Sequence, residues 1–571
     1  MSSEQLPPFE KNKGFKISTS PNPDWKYGQR IEETPEGRAW AEGEKAGWTV
    51  VDTSKEETRR LYAIGIAGIV PRPIAFVSSV SKDGVENLAP FSWFNQVCPN
   101  PFVVSFSCAH GGQKGVKDTL ANVLSGAGFT INIISEPWIE QSNVCSTDAP
   151  LEVSEWPISG LTKVPSIHVK APRVKESAFS MECELLQTVE VKDPATNNPV
   201  STLVLAQVKY IHMRNDILDP VRGLPDPAKY KPMARMGGLT YARVSEGFAL
   251  PRPPWDSMPE DVKQRFGGAA DSTQESSSSS CSNSSIYAMP AVQLPPFDLN
   301  KGFKYTSSPV PTWRYGQSIE STPEGKAWAE GEKAGWTVID PTKETARRMY
   351  AITVAGIAPR PIAFISSISQ DGVENLAPFS WFNMVTPDPP VITFGVSHVS
   401  GAAKDTLRNV LAGTGFTVNI ISAPWVEQSH ICSAVAPPDV SEWPISGLTK
   451  APSILVKAAR VKESAFSMEC ELFHTVEIRS PVDNVITSTL VVAHVKYIHM
   501  RNDVLDPVRG IPDPAKLKPV AKMGGLSYAV VTEGFTLPRA PSWETVAEGQ
   551  CAAEDGAIAI PPVTSSKKAT A

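Results

Sequence analysis

The chain has 571 residues, of which 41% are hydrophobic and 20% charged, with a formal net charge of −6. Domains usually hold ~100–200 residues, so a chain of this length is expected to build more than one hydrophobic core. Without a basic block it has no electrostatic attraction for nucleic acid or an anionic membrane surface, and without a run of ~18 apolar residues no transmembrane helix is expected.

The opening stretch MSSEQLPPFEKNKGF has neither a basic n-region nor an apolar h-region, so a chain without a secretory leader, placed in the cytoplasm, is expected. TPEGRAWAEGEKAGW, from Thr34, puts Ala, Trp, Glu and Lys at helical spacing behind a Thr-Pro start. PIAFVSSVSKDGVENLAPFSWFNQV then reads as strand, Asp-Gly turn and strand. FVVSFSC and FTINII are further β runs, and KDTLANVLSG between them reads as a short helix with an Asp-Thr start and a Gly stop. AFSMECELLQTVEV and STLVLAQVKYIHM are long alternating strands separated by a polar turn. Several strands with one or two short helices predict a small antiparallel barrel.

The whole pattern occurs twice. LPPFEKNKGFK at Leu6 returns as LPPFDLNKGFK at Leu294, NLAPFSWFN at Asn87 returns at Asn375, and SEWPISGLTK at Ser154 returns at Ser441. A period this long marks a duplicated domain rather than a solenoid. The expected organisation is a helical extension over 1–60, a barrel over 61–253 and a Ser-rich flexible linker over 254–293. A second extension over 294–348, a second barrel over 349–541 and a disordered tail over 542–571 complete it. Met289 stands five residues before Leu294 as Met1 stands before Leu6, which fits either a gene fusion or two joined gene models.

Motifs for dinucleotide, nucleoside-triphosphate and serine-hydrolase chemistry are missing, and the eight cysteines and eight histidines form no metal-ligand spacing. No metal is expected, and the cysteines read as buried thiols. Lys117-Asp118-Thr119 and Lys404-Asp405-Thr406 open the short helices, where free N–H groups and a Lys suit a phosphate; plain capping accounts for them as well. Arg72 and Arg360 sit between two prolines, a placement for bidentate phosphate binding or for a rigid surface loop. In NLAPFSWFN, alternation sends Ser92 and Phe94 to one face and Trp93 and Asn95 to the other, and Pro90 implies an edge or a break. An aromatic core strand explains the rings but not the Ser and Asn. His212 and His499 lie at a strand end, as structural residues or beside a redox ring. The loops from Met236 to Tyr241 and from Met523 to Tyr528 are candidates to close over a ligand.

Taken in order, PRPIAF, NLAPFSWFN, KDT, GFT, GLT, MECEL, KYIH and GG…Y resemble the flavin reductase-like family with the FMN-binding split β-barrel, over about Tyr62–Tyr241 and Tyr350–Tyr528. The resemblance implies a mainly β fold with short helices, built as two tandem split barrels. It implies FMN as cofactor, held by Arg72, Asn87, Ser92, Trp93, Phe94, Asn95, Lys117, Asp118 and Thr119. The second set is Arg360, Asn375, Ser380, Trp381, Phe382, Asn383, Lys404, Asp405 and Thr406. His212 and His499 are then the candidate catalytic residues near the ring. The implied activity is NAD(P)H-dependent hydride transfer to FMN N5, with electrons passed to oxygen or a partner oxygenase. The alternatives are a non-catalytic flavin-binding module and an oxygenase acting on its own organic substrate. Because family members are typically homodimers, the two repeats are expected to form an intramolecular pseudo-dimer.

Overall fold

A computed structural model describes residues 6–11, 13–111, 115–252, 254–266, 294–399, 401–538 and Trp543. Most of the Ser-rich segment and nearly all of the tail lie outside the described residues. Among those described, no helix is long and apolar enough to cross a membrane.

Each repeat forms the expected antiparallel barrel. In the first, the path runs Glu86–Phe91, Ala75–Val80, Phe129–Ile133, Phe179–Lys192, Pro199–Arg214, Phe102–Ala109 and Phe94–Pro99. The Asp-Gly hairpin holds its register from Ala75 against Phe91 to Val80 against Glu86. The two end strands of this path, Glu86–Phe91 and Phe94–Pro99, are consecutive in the chain and joined only by Ser92 and Trp93. The sheet therefore curls until its ends meet, and NLAPFSWFN is a seam between two strands rather than one continuous strand. Pro90 sits on the edge strand opposite Phe76, where its missing N–H costs no central ladder bond. The second barrel repeats this order strand for strand.

Phe94, Phe106 and Phe129 fill the first barrel, and Phe382, Phe394 and Phe416 fill the second. Phe106 meets Phe129 edge-on at 5.7 Å and Phe394 meets Phe416 at 5.6 Å. A third core lies between the barrels: Val97, Val103 and Leu205 of one repeat pack with Val385, Val391 and Val492 of the other.

The extensions pack crosswise. Trp48–Asp52 pairs antiparallel with the second barrel's Ile486–Arg501, and Trp336–Ile339 pairs with the first barrel's Pro199–Arg214. Trp40 donates its indole N–H to Glu463 O at 2.8 Å, and Trp328 does the same to Glu176 O at 2.9 Å. The following helices, Thr58–Gly68 and Ala346–Gly356, press on the opposite repeat. A Cβ on Gly68 would stand 2.3 Å from the Phe466 ring, and one on Gly356 would stand 2.2 Å from Phe179, so only glycine permits the approach. Two four-stranded sheets mix both repeats again, through Glu246–Ala249 against Ser527–Val530 and Thr240–Arg243 against Glu533–Thr536.

Candidate functional site

The barrel seam of the second repeat opens on a cavity of about 2340 Å³. Ser380, Trp381 and Phe379 line it from the seam, Lys404 from the start of the short helix, and Lys522 to Tyr528 from the Gly-Gly loop. The first repeat supplies another wall, including Asn100, Pro251, Arg252 and Trp255. The site is therefore composite. The matching loop of the first repeat runs through residues 112–114, outside the described set.

The cavity is rich in positive charge. Lys404 is solvent-accessible but walled by protein, and desolvation, then Arg252, pushes its pKa down to about 8. Lys522 is driven well below the ordinary lysine value by desolvation, then by Arg360 and Arg252. Every charged neighbour acting on these two amines is thus another cation, although Asp256 and Asp483 also reach the lining. Arg252 is held by the Ser433 carbonyl, which accepts from its Nε at 2.7 Å. Tyr350, Trp381, Tyr528 and Phe379 add aromatic surface. A concave site with flat apolar walls, whose Lys404, Lys522 and Arg252 pair with no carboxylate among the described residues, suits a planar aromatic anion.

Of the second repeat's nine expected flavin ligands, Ser380, Trp381 and Lys404 line this cavity. Asn375 and Asp405 instead line a separate cavity of about 280 Å³. Asn375 is committed to the protein: its Oδ1 accepts from Thr406 Oγ1 at 2.7 Å and its Nδ2 donates to Glu442 at 3.1 Å. Asn87 has the same partners in Thr119 and Glu155, at 2.8 and 3.1 Å. Burial pushes Glu155 and Glu442 up to about 7, against the hydrogen bonds they accept from Leu88 and Leu376. Asp118 is half-buried in the first turn of its short helix. Phe94 and Phe382 are fully buried in the barrel cores.

Asn95 and Asn383 do something else. Asn95 donates from Nδ2 to Ser380 O and Phe382 O at 3.1 and 2.9 Å, and Asn383 donates to Ser92 O and Phe94 O at the same distances. The last Asn of each nonapeptide thus ties down the seam of the other repeat.

Arg72 and Arg360 are not poised as open phosphate forks. Arg72 donates to the Ile66, Ile69 and Met236 carbonyls at 2.6, 2.7 and 3.0 Å. Arg360 donates to Val354 O, Ile357 O and Met523 O. The carbonyls at these helix C-termini lack intrahelical donors and carry partial negative charge, which a guanidinium satisfies. Desolvation pushes Arg72 down to about 9 and Arg360 to about 10. Nε faces the seam in the second repeat, where it lies 3.5 Å from Ser380 Oγ; among the described residues Arg72 Nε is buried with no partner.

His212 and His499 are off the cavity lining. Each bonds through Nε2 to a buried carboxylate, Glu182 at 2.7 Å and Glu469 at 2.8 Å. Desolvation raises Glu182, but bonds from His212 and from the Ile167, His168 and Val169 amides win and bring it to about 2. Desolvation lowers His212 and His499. Through Glu182 and Glu469, which also accept from the amides of residues 167–169 and 454–456, each histidine is tied to a loop over the barrel.

Sequence reasoning passed over His430, which lines the cavity. Its Nε2 lies 2.9 Å from Pro251 O and its Nδ1 lies 2.9 Å from Tyr528 Oη. A carbonyl only accepts, so Nε2 carries the proton and Tyr528 donates to Nδ1. The first repeat has Asn143 here, donating to Pro538 O at 3.0 Å and accepting from Tyr241 at 2.9 Å. The signal lay in the register of the repeats, where Asn and neutral His present the same donor and acceptor.

A family model for the flavin reductase like domain matches residues 67–234 and again 355–512. The chain belongs to this family. An uncharacterized protein of Aquifex aeolicus is 37% identical over 184 residues, covering 32% of this chain and 90% of that protein. The uncharacterized protein YwrF of Bacillus subtilis is 31% identical over 195 residues, covering 34% and 95%. Among solved structures, nitrilotriacetate monooxygenase component B from Bacillus cereus is 31% identical with a TM-score of 0.34, covering 35% of this chain and 97% of that one. Each such relative matches about one repeat, so this flavin reductase-like chain carries two copies of a unit they carry once.

Proposed function

We propose that the chain is an FMN-binding oxidoreductase that takes hydride from NAD(P)H, with the barrels of 61–253 and 349–541 acting as an intramolecular pseudo-dimer. The observation that carries this reading is the composite cavity at the barrel seam, with Lys404, Lys522 and Arg252 facing it and aromatic walls. FMN meets its chemistry: the phosphate for the cations, the ring for Trp381 and Tyr350, and a hydrogen-bond acceptor for Ser380. When bound, FMN supplies the hydride acceptor, and the protein supplies binding, orientation and electrostatics. Ser380 and Trp381, with Ser92 and Trp93 in the first repeat, bind along the ring; Lys404 and Lys117 bind the phosphate. Asn95 and Asn383 hold the seams in shape, and Arg72 and Arg360 position them from behind. His212 and His499 are structural in this reading.

The test is FMN titration of the full-length chain followed by anaerobic addition of NADH or NADPH. Uptake of two FMN per monomeric chain, with bleaching of the flavin absorbance by either nucleotide, is the expected result. A chain that takes up no FMN removes the cofactor. A chain that binds FMN but is not reduced by either nucleotide removes the oxidoreductase activity and leaves a flavin-binding protein.

A further inference from the structure

The composite cavity at the second repeat's seam contains an amine, Lys522, that the first repeat lacks at the matching position. Lys522 closes the strand Val520–Lys522, and its backbone is fixed in both directions against Arg360, at 2.9 and 3.1 Å. Its side chain is half-buried and lines the cavity, with Nζ 3.8 Å from the centre of the Tyr528 ring. Tyr528 is itself immobilised by His430. Among the described residues, the Lys522 ammonium makes no ion pair and donates no hydrogen bond. The first repeat has Arg235 at this position, whose guanidinium donates to Gly238 O at 2.6 Å and stacks on Tyr241 at 4.2 Å. A guanidinium stays charged and is not a nucleophile, whereas a lysine amine in cationic, poorly solvated surroundings is one.

We propose that Lys522 is a carbonyl-capturing amine, and that this composite cavity takes an aldehyde or ketone bearing an anionic group. Arg252 supplies the charge for that group and Trp255 an apolar wall, leaving Lys404, Trp381 and Tyr350 to the flavin. The groups that bear on the amine are Arg252 and Arg360, with Tyr528 and His430 packed beside it. In the step itself the Nζ lone pair attacks the carbonyl carbon and a C–N bond forms. The carbonyl oxygen leaves as water with the two amine protons, giving an imine. No oxidant or reductant is consumed. The cavity is more than twice the ~300–1,000 Å³ usual for a single-ligand pocket, so this ligand fits alongside a flavin.

The test incubates the full-length chain with limiting glyoxylate and cyanoborohydride, which reduces any imine to a stable amine, and maps the label by peptide mass. Because desolvation and the neighbouring arginines favour the neutral amine, Lys522 is expected to take the label at pH 7 ahead of the exposed Lys82. Lys522→Arg is expected to lose that fast label alone, and to fold, because Arg is the native residue at the matching site. Labelling of Lys522 no faster than Lys82, or a fast label that persists in K522R, overturns the proposal. The readout is independent of flavin, so failure of the FMN reading leaves it standing.

Discussion

The two repeats share nearly every backbone feature and part company where each touches the other. On one side, Arg243 bridges Glu136 at 3.2 Å and Glu533 at 2.9 Å, with all three groups buried and Lys13 completing the cluster at 2.5 Å from Glu533. At the pseudo-symmetric position, Ala423 and Val530 replace Glu136 and Arg243, and Glu246 is answered by Lys301 and Lys16 from the rim. Asn143 and Arg235 of the first repeat likewise correspond to His430 and Lys522 of the second. Divergence has kept the donor and acceptor at Asn143 and His430, and has removed an opposite-charge pair together at Glu136 and Arg243, while changing which groups titrate. A duplicated fold can thus hold two sites of one shape and different chemistry.

The sharpest way to break this comparison is Arg243→Ala against Val530→Ala. Removing Arg243 strands buried Glu136 and leaves Glu533 only Lys13, and is expected to cost about 3–5 kcal/mol. Removing two methyl groups at Val530 should cost only about 1–2 kcal/mol by urea denaturation. Equal losses would mean that the ion cluster is solvated and the interfaces are equivalent.

His430 gives the next effect. Its pKa falls from 6.5 to about 4 in the fold, chiefly by desolvation, so the unfolded chain binds the proton more tightly between those values. Stability from this residue is therefore full above pH 6.5 and is lost as pH falls toward 4, by about 3 kcal/mol. His430→Asn copies the first repeat and should leave stability at pH 7 within ~0.5 kcal/mol while flattening the acid limb. An unchanged limb in urea titrations at pH 4 and 7 would place the acid sensitivity elsewhere.

Asn95→Ala and Asn383→Ala test what the repeats share. Each strands two carbonyls of the opposite seam and should cost about 1–3 kcal/mol, equally in both variants. The expected signature beyond stability is weaker FMN binding at the opposite repeat, seen with one seam mutated at a time. The smallest effect belongs to Thr119→Val and Thr406→Val, which remove one buried bond to Asn87 or Asn375 for about 1 kcal/mol. FMN affinity should stay unchanged, because these hydroxyls serve the fold; a drop in affinity with little loss of stability would return them to the phosphate site.

Much of this architecture was legible in the letters. Alternation in AFSMECELLQTVEV and the Asp-Gly turn in SVSKDGVE depend on neighbours a few residues apart, and both appear as read. The polar letters of NLAPFSWFN mark positions that need a role, but the protein partners of its asparagines are not legible there. Asn95 looks across to residues nearly 290 positions away, and Arg72 turns back to a helix end that the PRP motif does not announce. Which carboxylate His212 meets is equally hidden, because its partner Glu182 lies 30 residues upstream.

By itself the sequence determined the duplication, the strands and turns of each barrel, and the family resemblance, since periodicity and turn chemistry are local properties of the chain. Only the tertiary structure decided that each extension lies on the other repeat's barrel and that the cavity draws walls from both. It also decided that His430, Lys522 and Arg252 meet there. Those contacts arise from burying apolar faces between distant segments, and the spacing of residues along one chain carries no record of which faces meet.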